Sequence, residues 1–438
     1  MHSLIETAKG QVDQAELYWS RQHTISVLYQ NYRLQQVEEN DLSSVALRTI
    51  DGGKIGCGYG VFPDGDTLLN DARTSARFGD PASFSFAPSA DYPAVHTNDE
   101  KAAELTSQDL IEVCESVKAR VERQLPDISL TIRCRAQSGT LVVETTEGAA
   151  GELRSTGFGL AFGAPFRGVG ISAFKGDQSI APFDVDDALI DEFVEWYRWG
   201  DTTSTPSTGR LPVIFAPEGA FLVLLPLLMG VNGDLVSKGT SPLTGKLGEA
   251  ILSEKLTVID DPLLDDDPNA RPFDDEGSPC DTRTIVESGV LKDYLVDLRT
   301  GAALGRPSNG HGFKRALFGG GAELPPSPWF GNPTIEAGDT PWRDLVADLK
   351  EGLLITGGMG FHSGNYPQGQ FAVQAVGYHI VDGHVVGRLD KTMISGNIYE
   401  DLRRVNAVSR ERRRSIVGLM SAGLAPYLLV DSLQVAGK

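Results

Sequence analysis

The chain has 438 residues, 39 of them basic and 59 acidic, so its formal net charge is −20. This acidity disfavours direct contact with a nucleic-acid backbone, and a hydrophobic content of 41% is typical of a folded chain rather than a disordered one. The length suits two domains.

Cysteine usage and the amino-terminal segment indicate the compartment. The four cysteines (Cys57, Cys114, Cys134 and Cys280) show no CxxC spacing, which argues against a disulfide scaffold and a structural zinc knot. The segment 1–19 has no apolar core of a signal peptide, and no stretch reaches the roughly 18 apolar residues of a membrane helix. We therefore expect a cytoplasmic protein without a membrane partner.

The amino-terminal part is predicted to mix helices with antiparallel strands. Residues 1–20 are predicted as a helix, and period-two alternation predicts a half-buried strand at 23–29. Asp51-Gly52-Gly53 predicts a tight turn. The other elements predicted here are strands near 32–37, 44–50 and 55–61, a polar turn at 38–41 and a helix at 67–78.

Two amphipathic helices follow. One carries an apolar stripe from Leu110 to Leu125 that includes Cys114, and Asp186 is predicted to cap the other, which ends at Gly200. Strands are predicted at 130–134, 140–145, 155–162 and 169–174. The small polar residues of 201–209 are interpreted as a boundary between an α+β domain, 1–205, and a strand-rich domain, 206–438.

The stretch 211–262 organises the carboxy-terminal part. It opens with a buried strand at 213–215 and continues with the apolar run Phe221–Met229, which is too short to span a bilayer. A strand at 256–259 closes it. Such a run is predicted to lie in the core or to line a groove.

A charged loop follows, in which Arg271 precedes Asp274, Asp275 and Glu276. Paired carboxylates serve acid/base chemistry or bind a hard cation. An Arg–Asp cluster also locks a loop through charge-assisted hydrogen bonds. We expect the structural role.

The remaining elements alternate strands with glycine-rich turns. Hairpins are predicted at 284–297 and at 372–389, with short helices at 342–352 and 399–404 and a last strand from 425. The basic residues Arg410, Arg412, Arg413 and Arg414 are interpreted as a solvated helix end or a subunit contact rather than a nucleic-acid site.

The stretch 211–262, the RPFDDEGSP loop at 271–279 and the ISGN segment at 394–397 together resemble the TldD/PmbA family. The resemblance implies a heterodimeric zinc metallopeptidase, whose catalytic half carries an HExxxH zinc helix in the apolar run and a cysteine ligand near the carboxy terminus. Here the run reads Leu224–Met229, no His, Glu or Cys lies between Gly219 and Lys246, and no Cys follows Cys280.

The chain therefore resembles the PmbA (TldE) half of that pair. The resemblance implies no catalytic residue, metal or cofactor in this chain, zinc in a TldD-like partner, and a peptide as substrate. It also implies a glycine-rich loop near the cleft of the complex. Site residues expected at that cleft are Asn309, His311, Gly319, Gly320, Gly321 and His362.

Other functions stay open at this point. A metal site would need about three ligands, and no two of the seven histidines are at helical ligand spacing, although His379 and His384 flank a hairpin turn. One alternative is an enzyme that uses His311, His362 and the acids of 274–276 as an atypical site. Another is a peptide-binding homodimer.

Overall fold

The computed structural model describes residues 2–31, 33–61, 65–166, 172–317, 319–360, 364–417 and 420–437. Within them the chain has the α+β architecture expected from the sequence, with two large sheets and the helices packed against them. None of the described helices has the length and apolarity needed to cross a membrane.

The first sheet is an antiparallel meander of the described residues in the order β3-β2-β1-β4-β5-β6. Its core face packs against α4 and α5, where the predicted stripe residues Leu110 and Cys114 are buried. Asp186 caps α5 by accepting a hydrogen bond from Ala188 N, as predicted. The strands are β1 (Gln14–Gln30), β2 (Arg33–Asp51), β3 (Lys54–Gly60), β4 (Thr131–Thr145), β5 (Ala150–Pro165) and β6 (Ser172–Ser179). The helices are α1 (His2–Ala8), α2 (Gly65–Ala76), α3 (Glu100–Ala103), α4 (Ser107–Gln124) and α5 (Asp187–Trp199).

Several strands are longer than the sequence predicted. The helix predicted at 1–20 ends at Ala8, and the predicted polar turn at 38–41 lies inside β2, paired residue by residue with β1. The predicted strands 130–134 and 140–145 are one strand, β4. Residues 33–42 are exposed, so no apolar alternation marks them, and the ladder of backbone hydrogen bonds holds them as strand.

The second sheet is mixed, and in the described residues its central order is β16-β22-β8-β17-β18-β19. Strand β8 runs parallel to β17 and antiparallel to β22, so it is covered on both sides by neighbours. Its residues Val213, Ile214 and Phe215 are all buried, as an apolar run in a central strand requires. Its strands are β7 (Thr203–Ser204), β8 (Gly209–Phe215), β9 (Val258–Asp260), β10 (Arg283–Glu287), β11 (Val290–Leu291), β16 (Pro333–Ile335), β17 (Glu351–Met359), β18 (Gln370–Val381), β19 (His384–Leu389), β20 (Met393–Asn397), β21 (Val405–Val417) and β22 (Met420–Ala436). Two separate pairs are formed by β12 (Gly312–Phe313) with β15 (Ser327–Pro328) and by β13 (Arg315–Ala316) with β14 (Gly319–Gly320).

The helices of this part are short and lie against the second sheet. They are α6 (Phe221–Val231), α7 (Gly233–Ser237), α8 (Leu298–Ala303), α9 (Trp342–Ala347) and α10 (Ile398–Asp401). The two sheets share one hydrophobic cluster, in which Trp196 of α5 packs against Tyr378 of the second sheet and Trp342 stacks on Tyr427. The boundary at 205/206 stays a prediction.

The predicted helix end at Arg410–Arg414 is wrong, because these residues belong to strand β21. Arg413 forms an ion pair with Glu192 of α5 at 2.8 Å, and Arg414 forms one with the buried Asp267 at 2.5 Å. Arg410 donates to the carbonyl oxygen of Asp339, so three of the four arginines have partners inside the chain and join β21 to elements that precede it.

Candidate functional site

The apolar run of the sequence forms α6, and α6 forms one wall of a cavity of about 360 Å³. Phe221, Leu224, Leu225 and Leu228 face this cavity, which is the i, i+3, i+4, i+7 spacing of a single helix face. The opposite face packs into the core of the second sheet, so the helix is apolar all round.

The other walls come from four segments that are distant in sequence. The hairpin of β13 and β14 supplies Arg315 and Gly319, and the segment before β16 supplies Trp329. Gln137 of β4 and Gln178 of β6 close the cavity from the first sheet. The cavity therefore lies where the two sheets meet. Its remaining described lining residues are Pro268, Asn269, Ala316, Leu317, Phe330, Gly331 and Pro333.

The charged loop lies behind this cavity and is buried. Asp274 Oδ1 accepts hydrogen bonds from the backbone N–H groups of Glu276 and Ser278, and Oδ2 accepts one from Gly312 N at 2.8 Å. Burial and the Glu276 carboxylate raise the pKa of Asp274 well above its usual range. Asp274 thus holds together the loop and the strand β12.

Asp275 is held by a cation instead. Its Oδ1 accepts a hydrogen bond from Arg271 Nη2 and its Oδ2 one from Lys314 N, both at 2.7 Å. Burial pushes the pKa of Asp275 up, yet Arg271 and the Lys314 N–H together outweigh it and leave that pKa below its ordinary value. Asp275 is therefore an ionised, paired carboxylate.

Glu276 connects the loop to the first sheet. Arg48 Nη2 donates to Glu276 at 2.8 Å and to Glu16 at 2.5 Å, so one guanidinium is shared by two carboxylates. Leu298 N donates to the other oxygen of Glu276. Burial raises the pKa of Glu276 to about 7, against the opposing effect of Arg48 and with the support of Asp297 and Glu16.

His311 forms a second buried polar cluster. Its Nε2 lies 2.9 Å from Asp260 Oδ2, and its Nδ1 lies 2.8 Å from the carbonyl oxygen of Asn309. Asp260 also accepts from the backbone N–H groups of Gly331 and Asn332, at the edge of the cavity.

Comparison with known proteins identifies the architecture. A family model described as the PmbA/TldA metallopeptidase C-terminal domain matches residues 208–437. The chain belongs to the PmbA/TldD metallopeptidase family.

Relatives of this family match to different extents. A metalloprotease of Methanothermobacter thermautotrophicus is 27% identical over 94% of this chain and 92% of its own length. A zinc metalloprotease TldD homolog of Saccharolobus solfataricus is 28% identical over 53% of each chain, so this chain spans about half of that relative. The crystal structure of TldE from Thermococcus kodakarensis superposes with a TM-score of 0.89 at 22% identity and complete coverage of both chains, which shows the shared fold.

The zinc that the family implies does not fit the cavity beside α6. Zinc prefers thiolate, imidazole and carboxylate ligands, and among the described lining residues the polar side chains are three amides and one guanidinium. In the part of the chain that the structure describes, no group of three His, Cys, Asp or Glu side chains is arranged to hold a metal ion. No step of a reaction is therefore derived through a metal in this chain.

The structure separates the residues that the resemblance placed at a cleft. His311 and Asn309 are buried within this chain, with 1% and 6% of their surface exposed, and their place near the cleft of a complex stays a prediction. Gly319 and Gly320 are exposed, and Gly319 lines the cavity. Gly321 follows them in the same hairpin segment, and His362 lies outside the described residues.

The alternative site comprised His311, His362 and the acids of 274–276; His362 lies outside the described residues, and among the described members His311 forms no hydrogen bond with these acids. The hydrogen bonds of His311 go to Asp260 and Asn309, and none of Asp274, Asp275 and Glu276 lines the cavity. The other histidine pair is also separate, because His384 is paired with Val381 across the hairpin and His379 with Gly387.

Sequence reasoning missed the residues that surround the loop. Arg48 lies 228 positions before Glu276, and Asp260 lies 51 positions before His311. Glu16 joins the first pair through Arg48. Only the fold brings these residues together. Gln137 and Gln178 lie on alternating strands that indicate a sheet face but give no sign of a cavity. Arg315 lies in the predicted glycine-rich loop. An arginine close to three glycines was the only sequence feature that could have indicated its place at the cavity.

Proposed function

We propose that this chain is the non-catalytic subunit of a two-chain zinc metallopeptidase, paired with a TldD-like catalytic subunit. The observation that supports the proposal is the cavity beside α6, where leucines and a phenylalanine stand in the apolar run that carries the zinc motif in catalytic relatives. The family scaffold from 208 to 437 is retained around it.

The part of this subunit would be to complete a cleft for unfolded or extended peptides. The cavity is walled by strands and a hairpin, so the main chain of an extended peptide can form hydrogen bonds to strand edges. Such binding depends weakly on the peptide sequence, which suits the maturation or clearance of peptides. We place the complex in the cytoplasm, with no direct contact to nucleic acid.

The test is co-purification with a TldD-like chain that carries HExxxH, ideally from the same genome. Mixing the two chains should give peptidase activity that neither shows alone, and the pair should co-elute on gel filtration. An obligate interface of this kind buries on the order of 2,000 Å² or more. Failure to associate at micromolar concentration, with the activity of the catalytic chain unchanged, contradicts the proposal.

Metal analysis separates this proposal from that of an independent enzyme. The chain purified alone should hold no stoichiometric zinc and should not cleave an unstructured peptide. About one tightly held zinc per chain, with hydrolysis, would favour the enzyme instead. Light scattering of the isolated chain addresses the homodimer, because a stable dimer that excludes the catalytic chain would favour a stand-alone peptide-binding protein.

A further inference from the structure

The cavity beside α6 continues into a narrower pocket along the first sheet. Gln137, Gln178 and Pro268 line both spaces, and Arg135 lies at the far end of the second one. We call the two together the groove. It runs from Arg135 on β4, past the two amides, to the apolar chamber that contains Arg315.

The strands of the first sheet are built to leave this groove open. Gly157 and Gly159 of β5 are paired with Gln137 and Arg135 of β4. A Cβ atom at Gly157 would lie 2.9 Å from Gln137 Nε2, and one at Gly159 would lie 3.3 Å from Gln178 Cγ. Side chains at these positions would displace the two amides from the floor of the groove.

Arg315 is a cation without a carboxylate partner among the described residues. Its guanidinium carbon lies 5.0 Å from the centre of the Phe313 ring. The carboxylates whose charge acts on Arg315 are those of Asp275 and Asp260. Asp275 is hydrogen-bonded to Arg271, and Asp260 is hydrogen-bonded to His311. Burial lowers the pKa of Arg315, and the charge of Arg271 adds to this effect.

Arg135, at the other end of the groove, is also a cation without a carboxylate partner among the described residues. Its Nε is buried and has no hydrogen-bond partner among the described residues, and burial lowers the pKa of this guanidinium. The acidic run 265–267, which precedes the lining residue Pro268, is paired with other residues. Asp267 pairs with Arg414, and Asp265 and Asp266 are bound by His96.

From these observations we infer that the groove binds an extended peptide whose acidic side chains flank an apolar residue. The inference rests on the proposed function and specifies the substrate class. Two cations without described carboxylate partners, at the two ends of the groove, are complementary to carboxylates of a ligand. The apolar chamber beside Arg315 takes the flanked residue, and the amide of Gln137 can bond to the peptide main chain.

The probe is a pair of fluorescent peptides with amidated carboxy termini. Each carries a leucine with Glu, or with Gln, two positions away on both sides, because an extended chain presents alternate side chains to one face. Fluorescence anisotropy with the isolated full chain should show that the Glu peptide binds about tenfold more tightly than the Gln peptide, since a charge-assisted hydrogen bond is the stronger one. A third peptide with Gln and a free carboxy terminus tests the terminal carboxylate as the source.

Variants assign the preference to the two arginines. Arg315→Gln and Arg135→Gln should each weaken binding of the Glu peptide by about five- to tenfold and leave the Gln peptide unchanged. The control Arg154→Gln changes the net charge equally at an exposed position of β5, and should alter neither affinity. Arg315→Glu should shift the preference to a peptide with Lys in place of Glu.

The outcomes separate this inference from the subunit proposal. Equal affinity for Glu and Gln peptides, or no binding of the Glu peptide by the chain alone or by its complex, overturns the acidic-peptide inference while association of the two chains stands. Preference for the free carboxy terminus over the Glu side chains also overturns it. Melting temperatures identify a variant that fails to fold, and the second arginine then provides the same test.

Discussion

Arg271 and Arg315 lie over the same aromatic ring, Phe313, at 4.9 and 5.0 Å from its centre, but their surroundings differ. Arg271 donates to Asp275 and to the carbonyl oxygen of Phe273, and the loop around it is buried and hydrogen-bonded. Arg315 faces the groove and pairs with no described carboxylate. Buried polar groups that satisfy one another stabilise a fold, whereas a charge held over a cavity without a partner is available to a ligand.

The loop is where a single change should have the largest effect. Arg271→Ala leaves Asp275 buried without its cation, and we expect a loss of about 3–5 kcal/mol in the free energy of unfolding. Urea unfolding followed by fluorescence measures it. The control Arg154→Ala removes an exposed pair with Glu152, which should cost less than about 1 kcal/mol. A variant of Arg271 or Asp274 with normal stability but no activity in the complex would contradict the structural role of the loop.

A smaller effect should appear in the pH dependence of stability. The pKa of Glu276 is raised from 4.5 to about 7, so between these values the folded protein keeps a proton that the unfolded chain has released. The contribution of Glu276 is complete below pH 4.5 and is lost as the pH rises through about 7, so the free energy of unfolding falls over that window. Asp274, whose pKa is also raised, acts in the same direction.

Glu276→Gln should flatten this decline between pH 5 and pH 7, by on the order of 1–3 kcal/mol. Melting temperatures at several pH values measure it. Glu351 is a control of opposite sign, because its pKa is lowered through the backbone N–H of Ser207. Its contribution is present at neutral pH and disappears in acid, so Glu351→Gln should leave the slope between pH 5 and pH 7 unchanged. An unaltered slope in Glu276→Gln would show that other groups set it.

A substitution in the groove should lower the free energy of unfolding less than a substitution in the charged loop. Trp329→Ala removes a half-buried ring from the cavity wall, while the backbone hydrogen bond from Trp329 N to His311 remains. Peptide affinity should fall by about tenfold, on the order of 1.4 kcal/mol, with a smaller loss of stability than in Arg271→Ala. If stability falls by as much as in Arg271→Ala, this wall is part of the core and the contrast fails.

Much of the fold could be predicted from local patterns. The stripe from Leu110 to Val121, the cap at Asp186 and the turn at Asp51–Gly53 are set by neighbours in sequence, and the structure has them. The continuation of β2 through 38–41 could not be predicted in this way, because this part of the strand depends on pairing with β1 rather than on its own composition.

The site depended on contacts that no local pattern carries. His311 lies in a glycine-rich segment that the family resemblance places near a cleft. In the structure its ring is buried and is hydrogen-bonded to Asp260, 51 positions earlier. Arg48 reaches Glu276 across 228 positions and joins the loop to the first sheet. By contrast, the apolar run was predicted to lie in the core or to line a groove, and α6 does both.

The smallest expected effect concerns Gly319, at the exposed end of the hairpin that carries Arg315. Its φ of +109° is a conformation that side chains adopt rarely, although no atom lies within 4 Å of the place of a Cβ. Gly319→Ala should therefore cost only backbone strain, about 1–3 kcal/mol locally, and should shift the hairpin rather than unfold the chain.

Gly305 offers a matched control with a φ of +67° and the same open surroundings, away from the groove. Both variants should melt within a few degrees of the unmodified chain, but only Gly319→Ala should weaken binding of the acidic peptide, by about threefold, because Arg315 is paired with Gly320 across this hairpin. Equal peptide binding by the two variants would show that the position of the hairpin does not govern the groove.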